Sequence, residues 1–281
     1  MNEHHYLYAI AWASGSLPPL GPGVDARFPV ELAACGPLAA ITSRVGLDRF
    51  DLAKLQEGTA DVPWLSGVAI RHNAIVSEAA SHGPLLPLRL GVVFCSRDSL
   101  LAKVARHGTR VADFLRSLGD RREWAVKVYL DQAVAEQGPL SSGPHSGEPS
   151  ACSDRARTTS GQGTQYLVAR RRQNARGQQL QAAVRRELIA VEESLEGLAD
   201  GWRQLRLLSG AMLDRPQKMV LNGACLLARS QEDSFGAACA SLHRDLLPKG
   251  LVLEATGPWP AYHFAPALEQ GEECAAAPAG H

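Results

Sequence analysis

The sequence predicts an α+β protein of two domains. Three features lead to that reading. Short alternating apolar segments are interleaved with amphipathic helical ones over the first 134 residues, a Gly/Ser/Pro-rich stretch covers 135–163, and a long apolar seam of helical period lies beyond it. A chain of 281 residues with 45% hydrophobic and 21% charged residues has material for two domains and a sizeable core. Its formal net charge is +0, so no overall field draws it to nucleic acid or to an anionic membrane. No run approaches the roughly 20 apolar residues that a spanning helix needs. The opening MNEHHYLYAIAWASG has no basic flank and does not read as a signal peptide. Cys35, Cys95, Cys152, Cys225, Cys239 and Cys274 are scattered without a C-x-x-C, so they read as reduced thiols of a cytoplasmic protein and not as a metal site.

Each element has its own signal. YLYAIAWA (6–13) is aromatic and apolar enough for a buried strand, and 27–35 and 37–45 read as two strands around the Gly36-Pro37 turn. Residues 61–83 begin with an aspartate cap, end in glycine and repeat Leu65, Val68, Ile75, Val76 and Ala79 at helical spacing. PLLPLRLGVVF (84–94) reads as a strand, 96–119 as a serine-capped helix ending at Gly119, and EWAVKVYLD (123–131) as a strand with Trp124, Val126, Val128 and Leu130 on one face. The order β-β-β-α-β-α-β over 1–134 matches a ferredoxin-like plait with an extra hairpin, two helices covering one sheet face and leaving the other open.

Residues 135–163 lack apolar periodicity and read as a flexible linker or insertion. The second domain, 164–265, opens with a helix from about Gln165 to Leu208, on which Leu180, Val184, Leu188, Val191, Leu195, Leu198, Trp202 and Leu205 form one seam. A strand at 218–229, a capped helix at 230–250 and a closing strand complete a smaller, modified ferredoxin-like α+β unit, and 266–281 reads as a disordered tail.

Catalytic signals are sparse. No G-x-S-x-G, Walker loop, GxGxxG or HExxH occurs, so the sequence implies no cofactor, no metal and no small-molecule substrate. An enzyme or small-molecule-sensing reading would take His72 as general base and Arg89 as anion clamp. Against it, a lone helix histidine and strand-face charges are most often paired or solvated. The basic run ARRRQNAR (169–176) shares its helix with several glutamates and reads as a solvated helix start.

The motifs YLYAI, RHNAIV, GPLLPLRLGVVF, EWAVKVYLD, GTQYLVARRR and TGPWPAYHF occur in that order, and together the chain resembles the GvpL/GvpF family of gas vesicle proteins over nearly its whole length. Two departures are the long 135–163 insertion and Leu90, where the family pattern has phenylalanine. The resemblance implies two α+β domains and a non-enzymatic, cytoplasmic accessory protein. Such a protein is required for gas vesicle assembly, is associated with the vesicle, and binds the main shell protein GvpA, alone or with other accessory proteins. It also gives the GPWPAYHF ending a structural role. Pro258 and Pro260 would pin an edge strand of the second domain, while Trp259 or the Tyr262/Phe264 pair seals its core. Strand alternation places Arg89, Glu123, Lys127 and Tyr129, with Glu31 joining them, on the open sheet face of the first domain. That face suits a polar-rimmed partner contact, and it equally suits plain solvated surface.

Overall fold

A computed structural model describes residues 3–15, 17–46, 50, 61–141, 162–208 and 215–268. It divides into two compact units, Met1–Glu123 with Pro258–His281, and Trp124–Gly257.

In the first unit, β1 (Glu3–Trp12), β2 (Val30–Cys35), β3 (Leu38–Gly46), β4 (Leu85–Pro87) and β5 (Val93–Phe94) form one sheet. Its order is β2-β3-β1-β4, with β5 also on β1, and each of these pairings is antiparallel. Gly36 turns the β2–β3 hairpin at φ 59°, a conformation glycine adopts without steric cost. The strand expected over 84–94 is interrupted. Leu88 N–H still donates to Tyr8 O and Leu7 N–H to Val92 O, both at 2.9 Å, but residues 89–91 bulge out between them, with Gly91 at φ 89°. The register of β1 shifts between Leu7 and Ala9 on the same stretch.

Helix α1 (Val62–Ser81) starts at Asp61, whose carboxylate accepts from Trp64 N–H. The next helical stretch is two helices, α2 (Arg97–Arg106), opened by a Ser96/Ser99 capping box, and α3 (Gly108–Leu118), with the break at His107. Val68, Ile75, Val76 and Ala79 of α1 pack with Tyr6, Ile41, Val45 and Leu85. Leu100, Val104, Val111 and Leu115 of α2 and α3 pack with Leu7, Ile10, Ala40, Leu86 and Phe94. The sheet is therefore covered on both faces, which corrects the expected open face. Adjacent Leu85 and Leu86 fill opposite cores, the pattern of strands buried on both sides.

The second unit is built on β6 (Arg122–Leu130), β7 (Gly201–Gln204), β8 (Lys218–Leu227) and β9 (Leu251–Trp259), in the order β7-β8-β6-β9. Strand β6 thus pairs in the second sheet, correcting the first-domain boundary at 134. The change of unit falls between Glu123 and Trp124, near the start of β6. Helix α4 (Gln132–Gln137), capped by Asp131, buries Ala135 and leads into a 3₁₀ turn at Pro139–Ser141, so the segment from 135 to 141 is structured. The rest of the expected linker, 142–161, and most of the expected tail lie outside the described residues.

Helix α5 (Gln162–Glu196) lays Leu180, Val184, Leu188, Val191 and Leu195 against Leu221, Cys225, Leu227 and Leu251 of the sheet and Phe235 of α6 (Glu232–Leu246). The apolar seam continues past the helix in a different structure. Leu198 packs on the same core after the helix ends, and Trp202 does so from β7. Cys35, Cys225 and Cys239 are in no disulfide, whereas Cys95 is disulfide-bonded, which corrects the expectation of six reduced cysteines. Spacing along a chain does not report which thiols the fold brings together.

Candidate functional site

The core of the first unit holds a buried polar cluster. Tyr6 and Tyr8 lie two apart on β1 and project to the same face, their rings 4.7 Å apart. His72 lies in the apolar stripe of α1 and meets them both. Gly91 N–H donates to Tyr6 Oη at 3.0 Å, and Tyr6 Oη shares a 2.9 Å hydrogen bond with His72 Nδ1. That leaves Nε2 facing the Tyr262 hydroxyl at 3.3 Å. Burial pushes the imidazole down to about 4, against an opposing backbone hydrogen bond at Leu88, so the ring is neutral at neutral pH. Burial likewise pushes the Tyr262 phenol up to about 12.

The loop before β2 closes over this cluster. Val24 N–H donates to Tyr8 Oη at 2.8 Å, and Tyr8 Oη shares a 2.8 Å hydrogen bond with Ser43 Oγ. A Cβ on Gly23 would collide with Ser43 and stand 2.9 Å from Tyr8 Oη, so only glycine fits there. Arg71, beside His72 on α1, donates to the carbonyls of Leu20 and Pro22 and ties the loop to the helix. Asp25 anchors the loop's other end. Its carboxylate takes Arg27 in a two-point pair and Gly46 N–H at 3.1 Å, and the Arg27 hydrogen bond holds its carboxyl down at about 2.

The proposed partner residues do not share one face. Glu31 is exposed on the edge strand β2, and Arg89 is exposed in the bulge after β4, at the other edge of the same sheet. Lys127 and Tyr129 lie on β6, in the second sheet. Tyr129 is buried under the Arg215 guanidinium, 4.0 Å from its ring centre, and Arg215 pairs with Glu254 at 2.8 Å. Glu123 is buried and accepts from His263 N–H at 2.8 Å and from His263 Nδ1 at 2.6 Å. Alternation along a strand separates its two faces but does not tell which side is solvent.

The aromatic ending also departs from expectation. Residues after Pro258 belong to the first unit, where Tyr262 packs on the α1 core. Strand β9 ends at Trp259, and the chain then turns, with Ala265 N–H donating to Ala261 O at 3.0 Å. Trp259 is 40% exposed and does not seal a core, and Phe264 is half-buried. Trp124 packs on Phe235 of the second unit, rings 5.9 Å apart, with its indole N–H donating to Glu232 at 3.3 Å.

For catalysis the arrangement offers little. His72 is enclosed by tyrosines with Nδ1 occupied, and Arg89 stands in solvent. Among the described residues no group of three His, Cys, Asp or Glu side chains could hold a metal ion, and no helix is long and apolar enough to cross a membrane. Sequence reasoning missed Asp25, Arg71, Tyr8 and His263. The one signal available for Tyr8, Arg71 and His263 was their place in the quoted motifs YLYAI, RHNAIV and TGPWPAYHF, and Asp25 lies in none of these.

The family model for gas vesicle synthesis protein GvpL/GvpF matches residues 4–266. The chain belongs to the GvpL/GvpF family. Gas vesicle protein L of Streptomyces sp. (strain CB03234) is 32% identical over 269 residues, covering 94% of each chain. Gas vesicle protein F of the same organism is 30% identical over 263 residues, covering 92% of this chain and 98% of its own. Among solved structures, gas vesicle protein GvpF from Anabaena sp. PCC7120 superposes with a TM-score of 0.67 at 17% identity, covering 97% of this chain and all of that one. GvpF from Microcystis aeruginosa gives 0.61 at 20% identity, over 94% of this chain and 99% of its own. These GvpF structures share the GvpL/GvpF fold found here. The family is described by gas vesicle synthesis.

Proposed function

We propose that this GvpL/GvpF protein is a non-enzymatic accessory factor of gas vesicle assembly that binds the shell protein GvpA in the cytoplasm and stays associated with the growing vesicle. The observation behind this reading is the match of nearly the whole chain, 4–266, to a family described by gas vesicle synthesis. Physical chemistry supports it. A shell subunit with a water-excluding face and unpaired strand edges aggregates unless a partner covers it.

The contact we assign is the outer edge of β2. This strand ends the sheet order, and Glu31, Leu32 and Ala34 on it are exposed, Leu32 by 45%. Val30 N–H donates outward to Gly21 O at 2.9 Å, so by strand alternation the N–H and C=O groups of Leu32 and Ala34 also point outward. Such an edge accepts an added strand. Of the sequence-derived partner residues, Glu31 is retained at this edge, with Arg89 and Lys127 as secondary surface positions.

The test is Leu32→Lys, which blunts the edge without touching the core. The expected result is unchanged melting, loss of GvpA co-purification and loss of vesicles in complemented cells. Normal GvpA binding by Leu32→Lys would remove β2 from the reading.

A further inference from the structure

We propose that the outer face of α5, centred on Ile189, pairs antiparallel with the same face of a second copy of this chain. The inward side of this helix is spent on the second unit's core through Val184, Leu188, Val191 and Leu195. The outward side presents Arg185, Arg186, Ile189, Glu192, Glu193 and Glu196. Positions three and four residues either side of Ile189 share its face. Arg185, Arg186, Glu193 and Glu196 are exposed there, Glu192 is half-buried, and Ile189 is exposed by 45%.

The charge order identifies the occupant. Arginines lie toward the N-terminus of this face and glutamates toward the C-terminus, against the preference set by the helix dipole. Within one chain, Arg185 and Glu192 are two full turns apart, beyond the range of i,i+4 pairing. The neighbouring Glu187 is already paired with Lys249 at 2.7 Å. Burial, and then the nearby Glu196, push the Glu192 carboxyl upward. A two-fold axis through Ile189 sets Arg185 opposite Glu193 and Arg186 opposite Glu192 of the other copy, with the mirror pairs following by symmetry. Ile189 then meets its own copy at the axis. A polyanion fits poorly, because half of the face is acidic.

One face of one helix from each copy buries less than about 1,200 Å² in total, the size of a transient contact. Sedimentation of the full-length protein from about 1 µM to about 1 mM at low salt tests this. Wild type should shift from monomer to dimer, and added salt should reverse the shift. Arg185→Glu/Arg186→Glu leaves only acidic charges on the face, and Glu192→Arg/Glu193→Arg leaves four arginines against the single acid Glu196. Each should remain monomeric with wild-type helix content, while their equimolar mixture forms a one-to-one dimer. A wild type that stays monomeric throughout, or a dimer that survives in either variant alone, would overturn the proposal.

Discussion

Individual side chains decide the architecture at the Tyr6–His72–Tyr262 cluster. The histidine's folded pKa of about 4 lies below its ordinary 6.5, so between those values the unfolded chain binds a proton that the folded chain refuses. Stability is held above pH 6.5 and falls as pH drops through this window, by on the order of 3 kcal/mol from this group. Urea midpoints measured at pH 7 and pH 4.5 should show a smaller drop for His72→Gln than for wild type, and equal drops would contradict it. The aromatic ending offers a second check. Tyr262 packs on the first unit's core whereas Trp259 is 40% exposed. Thermal melts should therefore rank Tyr262→Ala, at about 2 kcal/mol, as more damaging than Trp259→Ala, at about 0.5 kcal/mol. The motif itself could be read in the sequence, but not which of its aromatics goes inside. Proline spacing announces a stiff extended segment, yet the turn after Trp259 that swings Tyr262 inward depends on a core contributed by residues nearly two hundred positions earlier.

Among the elements, local signals read well where one physical cause acted alone. The Asp61 and Ser96 caps, the Gly36 hairpin and the apolar stripe of α1 were all visible as patterns of spacing and turn chemistry. The reading failed where a pattern outlived its element. The seam through Leu195 continues at Leu198 and Trp202, but the helix ends at Glu196, just before Gly197, and Trp202 serves the same core from β7. Gly223 on β8 takes the other side of that arrangement, since a Cβ there would lie 2.5 Å from the Trp202 ring. Gly223→Ala should cost about 1–3 kcal/mol by overpacking, read as a lower denaturant midpoint with an unchanged slope. Trp202→Leu, by opening space, should rescue part of that loss. Likewise the interrupted 84–94 segment reads as one strand, because the bulge at 89–91 is imposed by Gly91 N–H binding the Tyr6 hydroxyl across the fold.

Taken together, the two units show what sequence can and cannot say about organisation. The composition break at 135–163 is real as composition, but the change of unit occurs before it, between Glu123 and Trp124. A strand's sheet membership is a long-range pairing, and β6 carries the same alternating pattern whichever sheet it joins. The chain's end returns to the first unit, where Glu123 accepts two hydrogen bonds from His263. Glu123→Ala should lower stability by about 2 kcal/mol through loss of this buried acceptor, measured by calorimetry at neutral pH. Net neutrality, the absence of a metal cluster among the described residues and the covered first sheet leave edges and helix faces as the places where a partner can act. Co-expression with GvpA tests the proposed function most directly. If this protein is a shell-binding assembly factor, GvpA should co-purify with it in the soluble fraction. GvpA that partitions identically with and without the protein, and never co-purifies, would contradict it.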